Sequence, residues 1–356
     1  MRMVWLMLLF LWTLFTSSQP SQPCSFNSMC SCRYINSSGT IRDVSCVGVP
    51  FYKLPDLPHI DISHLDVVGA GLETVDDSLA GQIETLRLIT NSIITISDKT
   101  FTSMANSLRS LDLSQNRLEE VPAQAICYLK SLNWLNLHGN QIPTLEGNDW
   151  CHLKDTLDSL FLGENELQEL PRETLRTLRS LTWLSLDHNL LRKVEPLSLP
   201  ESLQTLSVQH NYLEQVPNID RIKSLVRLSL RGNLIKSVPD YSLQNRKRLE
   251  KLDLGNNFIN NIDNMFNKTI NVRDLSLDLN KIRSLNDKNF LGTNAGRIIL
   301  ALNRIENIST NAFVGLEDSL EYIDLERNLL TSFPDALSML RKLKYLYIPS
   351  NKISLY

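Results

Sequence analysis

Positive charge is not in excess in this chain: 36 lysines and arginines are outnumbered by 39 aspartates and glutamates, a formal net charge of -3 over 356 residues. A nucleic-acid-binding domain ordinarily shows the opposite balance, so nucleic acid is not expected as a partner. The motifs of common catalysis are missing too. There is no P-loop, no G-x-S-x-G elbow, no H-E-x-x-H helix and no dinucleotide-binding glycine fingerprint, so neither an enzyme nor a cofactor is expected. Past the N-terminus no segment is apolar enough to cross a bilayer. The C-terminal end carries no second cysteine cluster, and no small-residue site with a hydrophobic tail for a GPI anchor. The chain stops at Ser354-Leu355-Tyr356 inside a sequence unit, which suggests a fragment or a truncated gene product whose membrane anchor lies outside it; the other reading is an open end that pairs with a second chain.

What is present is a repeat. The stretch Leu108-Arg-Ser-Leu111-Asp-Leu113-Ser-Gln-Asn116-Arg-Leu118 has the spacing L-x-x-L-x-L-x-x-N-x-L, and that spacing returns along almost the whole chain. Leu111 and Leu113 alternate with Ser110, Asp112 and Ser114, the period of two that sends the leucines to one face of a short strand. At Asn116 the chain bends, and an amide that both donates and accepts can link the backbones of adjacent coils. The asparagines recur at 91, 116, 140, 165, 189, 211, 233, 257, 280, 303, 328 and 351. An earlier unit, Leu65-Asp-Val67-Val-Gly-Ala70-Gly-Leu72, puts Ala70 in the asparagine position, so the count is thirteen units of 21 to 25 residues. The pattern is identified as a leucine-rich repeat. One unit cannot bury its own leucines; stacked neighbours can, and the expected fold is an α/β solenoid, a horseshoe with a concave parallel sheet and an irregular convex side.

Residues 1–18 read as a secretory signal, with Arg2 ahead of the apolar run Val4 to Phe15 and the small residues Thr16 and Ser18 placed for cleavage; an N-terminal anchor helix is the competing reading. Residues 19–58 form a cysteine-rich N-terminal cap and 59–356 the repeats. The cap holds Cys24, Cys30, Cys32 and Cys46. Four cysteines allow three pairings, among which spacing does not choose, and a zinc site is the alternative to bridges. Cys127 and Cys151 each fall eleven residues after their asparagine, one phase in adjacent coils, so their α-carbons should stand about 5 Å apart and a disulfide is expected; two buried thiols are the alternative.

In the second half of each unit, Phe101, Trp150, Phe290 and Phe313 lie ten residues after their asparagine, with Ile126, Leu175 and Leu243 at the same phase, as core fillers. Phe266 comes one residue early. Pro122, Pro171, Pro217, Pro239 and Pro334 sit six residues after theirs, where a missing N–H argues for turns and short helices rather than long ones.

The concave side chains are those six, four and two residues before each asparagine. They include Trp134, Phe161 and Trp183, which no core needs. Either they form a protein-binding patch or they pack on one another and stiffen the sheet. Tyr322, Tyr345 and Tyr347 make a second aromatic group. Between the two groups run Arg227, Arg231 and Lys251 beside Asp253, Asp274 and Asp278, mixed signs that suit a solvated face or a wet interface. His188 and His210 should stack in adjacent coils near Asp187, too few ligands for a metal. Glycosylation sequons occur at Asn36, Asn267 and Asn307, none on a concave strand, so glycans there would leave the concave sheet bare.

The cap sequence Pro23-Cys24-Ser-Phe-Asn-Ser-Met-Cys30-Ser-Cys32, followed by Cys46-Val-Gly-Val-Pro50-Phe51 and Leu54-Pro55, resembles that of the chaoptin-like extracellular leucine-rich-repeat adhesion proteins. The resemblance implies the pairs Cys24–Cys32 and Cys30–Cys46, a place outside the cell or on the outer face of the plasma membrane, and adhesion through protein partners, self-association included. Fewer repeats and no C-terminal cysteine cap depart from that family. A receptor ectodomain and an unanchored matrix protein are the alternative functions.

Overall fold

The computed structural model describes residues 21–34, 41–51, 53–54, 62–76, 79, 81–145, 150–239, 243, 248–266 and 271–354. The expected signal peptide lies outside them, as do Asn36 and Asn267.

The period of two in each unit produces one short strand per coil. Ile62–Val68, Ile83–Arg87, Ser110–Asp112, Trp134–Asn136 and their successors through Tyr345–Tyr347 pair in parallel and in sequence order within a 16-stranded sheet. Register follows the leucines. Leu111 stands beside Leu135, Leu135 beside Leu160 and Leu160 beside Leu184, all fully buried under the sheet. At the N-terminal end Ile41–Val47 joins the sheet parallel to Ile62–Val68, and Ser31–Tyr34 and then Gln22–Pro23 continue it antiparallel. This cap covers the first leucines and is crossed by Cys24–Cys32 and Cys30–Cys46, with Cα–Cα distances of 5.0 and 4.4 Å.

Among the described residues the convex side holds one α-helix, Ala123–Ile126, and the 3-10 turns Thr102–Met104, Cys151–Asp155, Leu175–Thr177 and Asp335–Met339. The helical share of the expected α/β class is therefore small. A unit of 21 to 25 residues leaves little chain for the return, and the proline six residues after the asparagine lacks the N–H that a helix interior needs. The return segments fill the core from outside: Phe101, Trp150, Phe290 and Phe313 are buried. Phe266, one residue out of phase, still stacks on Phe290 at 6.2 Å, and Phe290 on Phe313 at 5.7 Å. Cys127 and Cys151 are joined with Cα atoms 5.1 Å apart, which ties two coils together on this side.

A ladder of amides binds coil to coil. From Asn116 onward each asparagine Oδ1 accepts the N–H of the residue two past the preceding asparagine, as Ile93 N to Asn116 at 3.1 Å and Leu118 N to Asn140 at 3.0 Å. Each Nδ2 donates to a backbone carbonyl of the preceding coil and to one in its own, most of them leucine carbonyls: Asn116 reaches Leu88 O at 2.7 Å and Leu113 O at 2.9 Å. The bend has a fixed conformation. The residue before every asparagine is left-handed, from Thr90 at φ 55° through His188 at 54° to Ser350 at 58°, and only Gly139 and Gly232 meet that requirement without a side chain.

Candidate protein-binding face

Because alternate residues of each strand point away from the leucines, the concave surface consists of columns running across the coils. In the column six residues before the asparagine, Trp134 pairs with Ser159 and Ser159 with Trp183. Phe161, two residues beyond Ser159, projects between the two indoles. Its ring lies 5.3 Å from Trp134 and 5.6 Å from Trp183, tilted 47° and 57°, spacings at which aromatic edges and faces attract. The rings pack on one another and stay partly open to solvent, Trp183 with 47% of its surface exposed.

Polar side chains frame the patch. The Asp158 carboxylate accepts hydrogen bonds from Thr182 Oγ1 at 2.8 Å and Ser159 Oγ at 2.9 Å. Asp187 accepts from Ser207 Oγ at 2.6 Å, from the Gln209 amide at 2.7 Å and from Ser185 Oγ at 3.1 Å. His188 and His210 stack as expected, centroids 4.4 Å apart, but Asp187 spends its oxygens on hydroxyls and an amide. Burial, then electrostatic repulsion from the stacked His188, pushes the His210 ring below its usual basicity. No group of three or more histidine, cysteine or carboxylate residues fit to hold a metal occurs among the described residues.

The charged strip is divided. Arg227, Lys251 and Asp274 stand exposed, whereas Arg231 lies between Asp253 at 3.5 Å and Asp278 at 2.7 Å, and this bonding raises the guanidinium's already high basicity. Near the N-terminal end Arg87 lies 3.6 Å from Asp66, whose carboxyl burial nonetheless pushes up. In the second aromatic group Tyr322 sits 6.3 Å from Tyr345 and 5.4 Å from Tyr347, with the Arg297 guanidinium 4.5 Å over its ring. Asn307 lies off this face, exposed on the short strand Asn307–Ile308, which pairs with Ser284–Leu285 in a separate two-stranded sheet.

A further apolar row escaped the reading of the concave columns. Leu190, Tyr212 and Phe258 each directly follow an asparagine and are exposed, Phe258 under the Lys281 ammonium at 4.2 Å. Leu190 and Tyr212 line an open groove of about 1510 Å³ with Pro143, Val216 and Pro217. The signal was available: one column further along the same repeat.

A family model described as leucine-rich repeat matches residues 81–142, 155–213, 223–282 and 293–353, most of the chain. The chain belongs to the leucine-rich-repeat family. Among curated leucine-rich-repeat relatives, chaoptin of Drosophila melanogaster is 31% identical over 118 residues, 32% of this chain and 9% of chaoptin. Tsukushi of Xenopus tropicalis is 34% identical over 133 residues, 35% of this chain and 36% of Tsukushi. The chain thus spans well under half the length of these relatives. Among solved structures the fold is similar to that in the LRIM1/APL1C complex, with a TM-score of 0.70 and 19% identity, covering 90% of this chain and 59% of the other. No helix among the described residues is long and apolar enough to cross a membrane.

Proposed function

We propose that this leucine-rich-repeat array is an extracellular adhesion and recognition module that holds a protein partner along its concave sheet, anchored on Trp134, Phe161 and Trp183. The observation that carries this reading is the aromatic contact across three coils. Large aromatics that touch one another and remain open to water form the kind of patch that marks a protein interface, and tryptophan dominates such interfaces energetically. The position of Asn307 away from the sheet supports it, since a glycan there leaves the concave side clear. Three disulfides suit an oxidising, extracellular setting, and the similarity to chaoptin favours adhesion within the broader class of partner binding.

The test is aggregation of beads or cells that display the protein. Replacing Trp134, Phe161 and Trp183 together by alanine should abolish aggregation while the circular dichroism spectrum stays that of the wild type. Aggregation that persists at its original level would remove these residues as the site.

A further inference from the structure

The aromatic patch occupies a stretch of concave strands that carries no lysine or arginine. No lysine or arginine lies on the five strands from Ser110–Asp112 to Thr205–Ser207, nor at the two positions before the asparagine in those units. The same stretch carries the carboxylates of Asp112, Glu164 and Asp187, and Asp158 stands one residue before its strand, at the position that Arg109 takes two coils earlier. Asp158 and Asp187 belong to the coils of Phe161 and Trp183 and flank their strands. Neutral donors, hydroxyls and a backbone amide, orient these two carboxylates. Glu164 is exposed and stands 3.4 Å from Gln115 Nε2 and from His138 Nε2. On either side cations return among carboxylates: Arg87 lies beside Asp66 toward the cap, and Arg227, Lys251 and Arg297 stand exposed toward the C-terminal end, with Asp274 exposed between the last two.

Resting on the concave site proposed above, we infer that the partner is a basic protein segment, whose arginine or lysine side chains lie on the faces of Trp134 and Trp183 and pair with Asp158, Asp187 and Glu164. Tryptophan attracts a cation to its ring face more strongly than any other side chain. The carboxylates add attraction that an apolar segment would leave unused and an acidic one would turn into repulsion. The exposed cations beyond Ser207 repel a basic segment that runs on in that direction, so they limit where along the sheet it settles.

The test uses the full chain and a fluorescein-labelled peptide of alternating arginine and serine, compared with the same peptide carrying citrulline, which keeps the shape and loses the charge. The arginine peptide should bind at least about tenfold more tightly, alter the intrinsic tryptophan fluorescence and dissociate at high salt. Asp158→Asn with Asp187→Asn should weaken it by about tenfold, whereas Glu119→Gln with Glu120→Gln, an exposed acidic pair outside the patch, should not. No binding, equal binding of the citrulline peptide, or an equal loss in the Glu119 and Glu120 control overturns the inference. If the alanine variant loses aggregation while the Asp158 and Asp187 variant aggregates like the wild type, the concave site stands and the basic partner falls. Unchanged aggregation and peptide binding in the alanine variant would sink both.

Discussion

Arg231 reaches across a whole coil to hold Asp278, donating from Nη1 to Oδ1 at 3.0 Å and from Nη2 to Oδ2 at 2.7 Å. The intervening coil has Gly255 at the crossing point, where a Cβ would stand 2.2 Å from Arg231 Nη1 and 2.6 Å from Asp278 Oδ1. The glycine is there for space. Burial alone would push the Asp278 carboxyl up, but the Arg231 and Ser276 hydrogen bonds together with the Arg231 charge outweigh it and hold the group below the usual carboxylate range.

Gly255→Ala should therefore break the two-pronged pair and cost about 1.5 to 3 kcal/mol, the range for hydrogen bonds to charged groups. Urea unfolding checks it in two backgrounds. With Arg231→Ala already present, the same glycine change should cost much less, because the added Cβ then meets no guanidinium and only the Asp278 carboxylate has to give way. The Asp278 contribution is present above the unfolded carboxylate pKa and is lost as pH falls through the lower folded value. The stability gap between wild type and Asp278→Asn should accordingly close below about pH 4.

Asn165→Ala tests the amide ladder. It strips the Ile142 N–H of its acceptor and the Leu137 and Leu162 carbonyls of a donor, all in buried surroundings. Leaving such groups unpaired should cost about 3 kcal/mol. Hydrogen exchange should show faster opening around the coils of Asn140 and Asn165 first, since each coil is supported only by its neighbours.

Thr90→Gly should stabilise the protein. Thr90 is exposed, β-branched and held at φ 55°, where a side chain crowds the backbone. Relief of that strain exceeds the entropy that glycine adds to the unfolded chain, for a net gain of up to about 1 kcal/mol. A higher melting temperature is the expected outcome, and Gly139→Thr should lower it.

Replacing Cys127 and Cys151 together by serine should lower stability by about 3 kcal/mol, from the chain entropy of a closed loop of 24 residues. The cap bridges lie at the far N-terminal end, so thermal unfolding of this variant should still respond separately to reductant.

His210 predicts a pH dependence near neutrality. Its ring is less basic than in the unfolded chain because burial and His188 oppose its charge, so the unfolded state binds more protons between the folded pKa and about 6.5. Stability should fall as pH drops through that window. His210→Gln should flatten the slope; an unchanged slope would show that other groups set it.

The solenoid was legible because its demands recur. Leu111, Leu135 and Leu160 are identical in kind and position since each coil must bury the same spot, and Asn116, Asn140 and Asn165 since each bend must satisfy the same buried backbone groups. The phase of Cys127 and Cys151 even indicated their separation. The lateral row of Leu190, Tyr212 and Phe258 was equally periodic but lay outside the columns singled out for binding. The cap was not periodic, and its spacing alone left three pairings open.

What the amino-acid order determined by itself was the register: which residues point inward, which bend, and which share a column, because burial and hydrogen-bond satisfaction are decided anew in every unit. Contacts between columns were left to the tertiary structure. Whether Phe161 meets both tryptophans, or Arg231 passes over Gly255 to Asp278 rather than stopping at Asp253, depends on the distance between coils and the rotamers that space permits. Those quantities exist only once the coils are stacked, since residues 47 positions apart, such as Arg231 and Asp278, have no local reason to meet.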